Sequence, residues 1–313
     1  MKVLVTGASG FAGSHLVEAL VAEKKHEVFG TVYGTPGYIG DILDAQHIVA
    51  IDLTSQEKVQ ELFQSIKPDY VFHLAAFAAV GNSFEKALIT IQNNTVLQMN
   101  LLEAVRQYCP DSRLLIVGSA EEYGISKPEE VPINENHPFR PANPYAVSKV
   151  SQDLLAYAFA QSYHLNIVRV RPFNHIGERQ TPDFAIPAFA QQIVRIERGE
   201  QQKLQVGNLD AIRDFTDVKD VVSAYMLLME KGQVGEVYNI GSGVGRKMLD
   251  MLNMLVSQAK VAVPIEQDQE KLRPIDVPIV IADVSKLKSL GWKIDHPIEE
   301  TLSRVLEWWR ENL

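Results

Sequence analysis

Cysteine is nearly absent from this chain of 313 residues. The single Cys109 excludes an internal disulfide and fits a reducing, cytoplasmic setting; it reads as a packing residue rather than a nucleophile. No apolar run reaches the ~18 residues that a membrane-spanning helix needs, so no membrane partner is expected. The opening run Met1-Lys2-Val3-Leu4-Val5-Thr6-Gly7 is too short and ends in glycine too early to be expected to act as a signal peptide. Positive charge is scarce. Lys and Arg number 30 against 39 Asp and Glu, a formal net charge of −9, and no arginine precedes Arg106. That balance disfavours nucleic acid as a partner, though a few local arginines can still hold an anionic small ligand. Cys, His and carboxylate residues nowhere adopt metal-ligand spacing, so no metal is expected. Internal repeats, low-complexity tracts and long linkers are also missing.

What is present is an alternation of short apolar runs and helical patterns. Strands are expected at 2–6, 27–32, 47–51, 69–74, 113–118 and 165–171. Helices are expected at 11–22, 56–65, 83–108 and 145–163. Continuous apolar strands alternating with amphipathic helices predict an α/β fold, a parallel sheet covered on both faces. Beyond Arg171 the elements shorten, and Pro172, Pro182 and Pro187 interrupt them. The expected division is a dinucleotide-binding domain over 1–171, then a smaller α/β lobe over 172–313 that mainly binds substrate and sends some segments back to the first. Ile298, Leu302, Val305, Leu306 and Trp309 form one apolar stripe of a C-terminal helix, suited to packing.

The first strand runs into Gly7-Ala8-Ser9-Gly10-Phe11-Ala12-Gly13, which opens a helix. A tight strand-to-helix turn needs glycine for its backbone angles. A pyrophosphate can then approach the bare backbone and meet the amides and positive dipole of the helix N-terminus. The spacing is Gly-x-x-Gly-x-x-Gly rather than the usual Gly-x-Gly-x-x-Gly. An NAD-specific site should end its second strand in an acid, yet none lies between Glu27 and Asp41. An arginine for the 2′-phosphate of NADP is missing from the same region. The reading leans to NADP, with NAD the alternative. Asp52, after the third strand, either accepts from the adenine amine or caps the next helix.

Tyr145 and Lys149 stand four apart, on one helical face. An ammonium beside a phenol favours the phenolate, which suits proton transfer during carbonyl reduction or alcohol oxidation. A second such spacing, Tyr123 to Lys127, is broken by Gly124 and followed by Pro128, so it reads as a loop. The first is preceded by Asn143-Pro144, a helix cap and a first-turn proline. Ser119 follows the fifth strand, where ligands of parallel sheets bind. It either shares a substrate oxygen with Tyr145 or caps a turn. His73 reads as packed or hydrogen-bonded. His175 lies in a ligand-lining loop, with its neighbour Asn174 the better contact.

Taken together, these segments resemble the extended short-chain dehydrogenase/reductase family along nearly the whole chain. They comprise Thr6 to Gly13, Asp52-Leu53, His73-Leu74-Ala75-Ala76, Ser119 to Gly124, Tyr145 to Lys149 and Arg171-Pro172-Phe173-Asn174. The resemblance implies a Rossmann-type doubly wound sheet and a catalytic set of Ser119, Tyr145 and Lys149. It implies cofactor contacts at Gly7, Ser9, Gly10, Phe11, Ala12, Gly13, Asp52, Leu53, Leu74, Ala75, Ala76, Tyr145, Lys149 and Pro172. Val206-Gly207-Asn208-Leu209-Asp210-Ala211-Ile212-Arg213-Asp214 and Leu272-Arg273-Pro274-Ile275-Asp276-Val277-Pro278 are similar to signatures of the GDP-mannose branch. That likeness implies substrate contacts at Glu121, Asn174, Arg213, Arg273 and Asp276. The two arginines are physically sensible diphosphate clamps. Asp276 stands where the family usually has Glu. Phe215 to Asp220 resembles the reductases of the branch. The implied activity is hydride reduction of the C4 ketone of GDP-4-keto-6-deoxy-D-mannose to GDP-D-rhamnose. Glu121, the family's base for the C5 proton, keeps open a 4,6-dehydratase or bifunctional enzyme; an epimerase acting on another nucleotide sugar is a further alternative. The family further implies a homodimer built on the helices at 83–108 and 145–163.

Overall fold

The computed structural model describes residues 1–77, 84–271 and 277–313. Its first half follows the apolar strand pattern closely: β1 (Lys2–Thr6), α1 (Phe11–Ala22), β2 (Glu27–Val32), β3 (Ile48–Ala50), α2 (Gln56–Ile66), β4 (Tyr70–His73), α3 (Ala87–Tyr108), β5 (Arg113–Val117), α4 (Pro144–Tyr163) and β6 (Asn166–Pro172). The third strand is shorter than the apolar pattern suggests because His47 belongs to a 3-10 turn, Ala45–His47. The long helix begins at Ala87, and Ser83, its expected start, lies outside the described residues.

The second half runs β7 (Asn174–Ile176), α5 (Ala185–Glu197), β8 (Leu204–Val206), β9 (Ile212–Asp217), α6 (Val218–Lys231), β10 (Val237–Ile240), β11 (Gly245–Lys247), α7 (Met248–Val256), β12 (Ile265–Gln267), β13 (Ile279–Val280), α8 (Ser285–Lys288) and α9 (Ile298–Asn312). The main sheet has the order β10-β6-β5-β4-β1-β2-β3, with every neighbouring pair parallel. The chain thus returns after the second lobe has begun, placing β10 beside β6 with Ile240 opposite Pro172.

Parallel strands bury both faces, and two apolar layers cover them. On one face Leu16, Val17 and Leu20 of α1 pack with Val221, Val222 and Leu228 of α6. On the other, Val59 and Phe63 of α2 join Leu97, Leu101 and Val105 of α3 and Ala156 and Phe159 of α4. A separate core in the second lobe gathers α5, α7 and α9 around Ile193, Met251 and Leu302. Within the second half of the chain, Arg304 of α9 contacts Asp217 and places Nε 3.0 Å from Glu178. No described helix is long and apolar enough to cross a membrane.

Leu101 is fully buried between α3 and the sheet. Leu101→Ala is expected to lower the free energy of denaturant unfolding by about 2–5 kcal/mol. A change within ~0.5 kcal/mol, the range of an exposed substitution, would contradict this packing.

Candidate active site

The segments bearing Gly7 to Gly13, Leu74 to Ala76, Ser119 and Asn174 follow the carboxyl ends of β1, β4, β5 and β6 in the main sheet. Gly7 has φ +69°, and a Cβ there would lie 2.9 Å from the Cα and amide nitrogen of Ala75. A Cβ at Gly13 would overlap the Gly7 carbonyl oxygen. Gly10 caps α1 without a side chain, and the first turn of α1 carries no acid. The amides beside Ser9, Phe11 and Ala12 are thus backed by an uncompensated positive dipole. This bare, side-chain-free cradle fits the pyrophosphate of a dinucleotide. The Ala8 amide donates to the Thr31 carbonyl at 3.0 Å, tying the loop to β2.

Facing the cradle, the segment Leu74-Ala75-Ala76 is held from below. The Leu74 amide donates to the Thr6 carbonyl at 3.2 Å, and the Ala75 amide to Thr6 Oγ1 at 3.3 Å. Thr6 Oγ1 and His73 Nδ1 are 2.8 Å apart. Burial, helped by the charge of Lys149, pushes His73 down to about 3, so this ring is a neutral spacer. Asn94, which the sequence reading missed, accepts from the Phe77 amide at 2.8 Å and donates to Ser148 Oγ at 2.9 Å. It couples the end of this segment to α4.

Asp52 Oδ1 accepts from the Thr54 hydroxyl at 2.7 Å and the Thr54 amide at 2.9 Å, which hold its carboxyl below the usual range. It therefore closes the turn before α2, whose N-cap is Ser55. Asn100, also missed, donates to the carbonyls of Leu53 and Thr54 at 3.0 and 2.9 Å. Beyond β2, Tyr33 is 78% exposed and no carboxylate ends the strand. An arginine does reach the loop after it, but from the second lobe. Arg179 lies 5.1 Å from the centroid of the Tyr38 ring and donates to Glu18 Oε2 at 2.8 Å.

Ser119 leaves β5 as the cap of a 3-10 turn, Ala120–Glu122. Its Oγ accepts from the Glu121 amide at 3.2 Å. Asn143 Oδ1 accepts from the Ala146 amide at 2.8 Å, and Pro144 starts α4, so the helix begins where Asn143-Pro144 predicts. The same Asn143 donates from Nδ2 to Glu121 Oε2 at 3.0 Å, joining the carboxylate to the helix start.

Tyr145 and Lys149 are both buried on the inner face of α4. The Lys149 ammonium donates to the Val117 carbonyl at 2.8 Å and lies 5.9 Å from the centroid of the Tyr145 ring. This corrects the expectation that lysine lowers the tyrosine. Burial dominates and pushes the phenol up; a side-chain hydrogen bond with Ser119 opposes this, while Glu121 and Glu122 add to it. Burial pushes Lys149 down to about 8, against the pull of Glu122. The phenol therefore holds its proton, which suits a donor better than a standing base. Tyr123 and Lys127 do not form such a pair. Tyr123 is buried, donating to Asn239 Oδ1 at 2.6 Å, and Lys127 is exposed beyond Gly124, which has φ +57°.

On the substrate side, Pro172 ends β6 beside Ile240. Asn174 is exposed on β7, and its neighbour His175 stacks on Phe11 at 5.7 Å and 9°. Arg213 lies on β9 opposite Arg246 of β11. Asp214, next to it, is a buried joint. It accepts from the Ser242 amide and hydroxyl at 2.7 and 2.5 Å, the Gly243 amide at 2.9 Å and the Ala282 amide at 3.1 Å. Arg273 and Asp276 lie outside the described residues.

Two measurements follow from this geometry. Gly7→Ala must force a Cβ onto Ala75, so it is expected to abolish binding of a reduced nicotinamide dinucleotide, read by its fluorescence; unchanged affinity would contradict the cradle. In the dinucleotide-free protein, Lys149 should be charged at neutral pH and lose its proton as pH rises through about 8. An NMR titration assigned with Lys149→Met checks this, and a midpoint near 10.5, the ordinary lysine value, would contradict the burial.

Comparison with known proteins gives the family of the chain. The family model for GDP-mannose 4,6 dehydratase matches residues 4–305. GDP-6-deoxy-D-mannose reductase of Pseudomonas aeruginosa is 33% identical over 314 residues, covering 100% of this chain and 98% of that protein. The solved structure of RMD from Pseudomonas aeruginosa complexed with NADPH has a TM-score of 0.87 at 32% identity, covering 100% of this chain and 99% of the other. UDP-glucose 4-epimerase of Thermus thermophilus, complexed with NAD, has a TM-score of 0.90 at 28% identity and 100% coverage of both. With its family signature matched from residue 4 to residue 305, the chain belongs to the GDP-mannose 4,6 dehydratase family of extended short-chain dehydrogenases/reductases.

Proposed function

We propose that this protein is an NAD(P)H-dependent ketoreductase that converts GDP-4-keto-6-deoxy-D-mannose to GDP-D-rhamnose. The observation that carries this reading is the buried Tyr145, hydrogen-bonded with Ser119 and held in its protonated form by burial. The likeness to a GDP-6-deoxy-D-mannose reductase along the whole chain supports it. The NADPH in one structural relative supports NADP as the cofactor, with NAD, bound by another, as the alternative.

The proposed contacts to the dinucleotide are Gly7, Ser9, Gly10, Phe11, Ala12 and Gly13 at the phosphates. Asp52 and Leu53 lie towards the adenine; Leu74, Ala75, Ala76, Tyr145, Lys149 and Pro172 lie along the remainder. A reduced nicotinamide, when bound, supplies hydride to the C4 carbon. Ser119 orients the ketone oxygen, and Tyr145 gives its proton to that oxygen as the C4 carbonyl becomes an alcohol. Lys149 supplies positive charge under the phenol. Asn174, Arg213, Arg273 and Asp276 are the proposed contacts to the GDP-sugar, and the region 172–313 its main binding lobe.

A second reading rests on Glu121, whose carboxylate Asn143 holds beside Ser119. A base there could remove the C5 proton, so a dehydratase step on GDP-mannose is the alternative. The assembly proposed is a cytoplasmic homodimer built on α3 and α4. Leu88, Leu154 and Tyr157 on these helices are 76%, 51% and 46% exposed, which supports a covered face there.

One assay tests the reading. The protein is incubated with GDP-mannose, with and without an added dehydratase, and with NADPH or NADH, and the sugar is identified by NMR. Cofactor consumption only with the dehydratase is expected. Keto-sugar formation without it favours the Glu121 reading instead. Tyr145→Phe is expected to cut turnover by ~10²–10⁴-fold, the usual worth of general acid catalysis; near-normal turnover would remove Tyr145 from the mechanism.

A further inference from the structure

Glu122 is a fully buried carboxylate behind the reacting face, and the mechanism above makes no use of it. Its Oε1 accepts from the Ser119 amide at 2.7 Å. Its Oε2 lies 2.9 Å from Arg171 Nε, as an ion pair rather than an aligned hydrogen bond. A Cβ at residue 118 would overlap Oε1, so glycine at that position makes room for the contact.

Arg171 is fully engaged elsewhere as well. Nη2 donates to Asp153 Oδ2 at 2.8 Å, and Nη1 donates to the Tyr123 hydroxyl at 2.9 Å and the Glu135 carbonyl at 3.1 Å. Asp153 also accepts from Arg169 at 2.8 Å. Asp153 sits one turn after Lys149 on α4, and Arg171 immediately precedes Pro172 on β6. One guanidinium therefore links the turn bearing Ser119, the helix bearing Tyr145 and Lys149, and the strand ending in Pro172. Burial and the neighbouring Asp153 push the Glu122 carboxyl up, while Arg171, the Ser119 amide and Lys149 oppose that. A buried carboxylate is seldom the most stable filling for such a space, and an apolar side chain is often as good or better. Its place here is better explained by what it holds.

We propose that Glu122 is a positioning residue: its bond to the Ser119 amide, braced by Arg171, fixes the Ser119 hydroxyl against Tyr145 and the substrate oxygen. This rests on the roles given to Ser119 and Tyr145 above. The Ser119 backbone has its orientation set from behind, because the Ser119 hydroxyl, already accepting from the Glu121 amide, must stay aimed outward to meet substrate.

The test is a double-mutant cycle with Ser119→Ala, measured at saturating NADPH on GDP-4-keto-6-deoxymannose. Glu122→Asp keeps the charge for Arg171 but withdraws the carboxylate from Ser119. Glu122→Gln keeps an acceptor for the Ser119 amide. Glu122→Asp is expected to lower kcat roughly 10- to 100-fold, as misplacements near 1 Å do, with KM changed less than about 3-fold. Glu122→Gln is expected to restore most of kcat. Neither should lower kcat further once Ser119 is alanine. Equal losses in both backgrounds, or unchanged kcat in Glu122→Asp, would overturn the proposal. If Glu122→Asp does not fold, Glu122→Met, which has no acceptor for the Ser119 amide, carries the same cycle: equal loss in both backgrounds overturns the proposal, and no further loss once Ser119 is alanine upholds it. Tyr145→Phe is run alongside. Its loss of turnover together with native kcat in Glu122→Asp overturns the positioning role alone. Normal turnover in Tyr145→Phe overturns the reductase reading and this inference together.

Discussion

The buried guanidinium of Arg171 is the contact on which the site's geometry depends. It reaches Glu122, Asp153 and Tyr123, which come from two separate segments, and it stands one residue before the strand turns out of the sheet. Removing one partner from a buried pair of this kind typically costs ~3–5 kcal/mol, because the other charge is stranded without water. The Ser119 turn, the Tyr145 helix and the end of β6 are separate pieces of chain, joined across the sheet by this one side chain. Asp214 does similar work in the second lobe, tying β9 to residues 242–243 and to Ala282 through one carboxylate.

Burial also sets the protonation states. His73 is neutral, Tyr145 keeps its proton, and Lys149 is poised near neutrality. Each shift has the sign that desolvation gives: bases fall and acids rise. The site in this state is a proton donor with a nearby, easily adjusted positive charge. That polarity matches reduction of a ketone better than it matches abstraction of a proton by phenolate.

Much of this was legible in the sequence, for physical reasons. Helix α1 begins and ends where the glycine loop and the apolar face place it, and α4 starts at its asparagine cap and first-turn proline. Strands buried on both faces are continuous apolar runs, and such runs locate β1, β2 and β5 within a residue. The return of β10 to the main sheet was only anticipated in general terms, since four residues, Val237–Ile240, carry no period that tells one sheet from another. Side-chain contacts between distant segments were not legible at all. Arg179 approaches Tyr38 across 141 positions of sequence, and Arg171 finds Glu122 across 49. The sign of the Tyr145 shift was misread because spacing reveals that a lysine is near but not how dry the pocket is. The pairing of Asn143 with Glu121 shows the same limit: the cap was visible, its second partner was not.

The most direct test of the account is the fate of the transferred hydrogen. The enzyme is given GDP-4-keto-6-deoxymannose and NADPH deuterated at the transferring position of C4, and the product is examined by NMR. The account predicts one deuterium bound at C4 of the sugar, with the hydroxyl hydrogen exchanging with water. A product with protium at C4, or a keto sugar returned unchanged while the dinucleotide is bound, would contradict it.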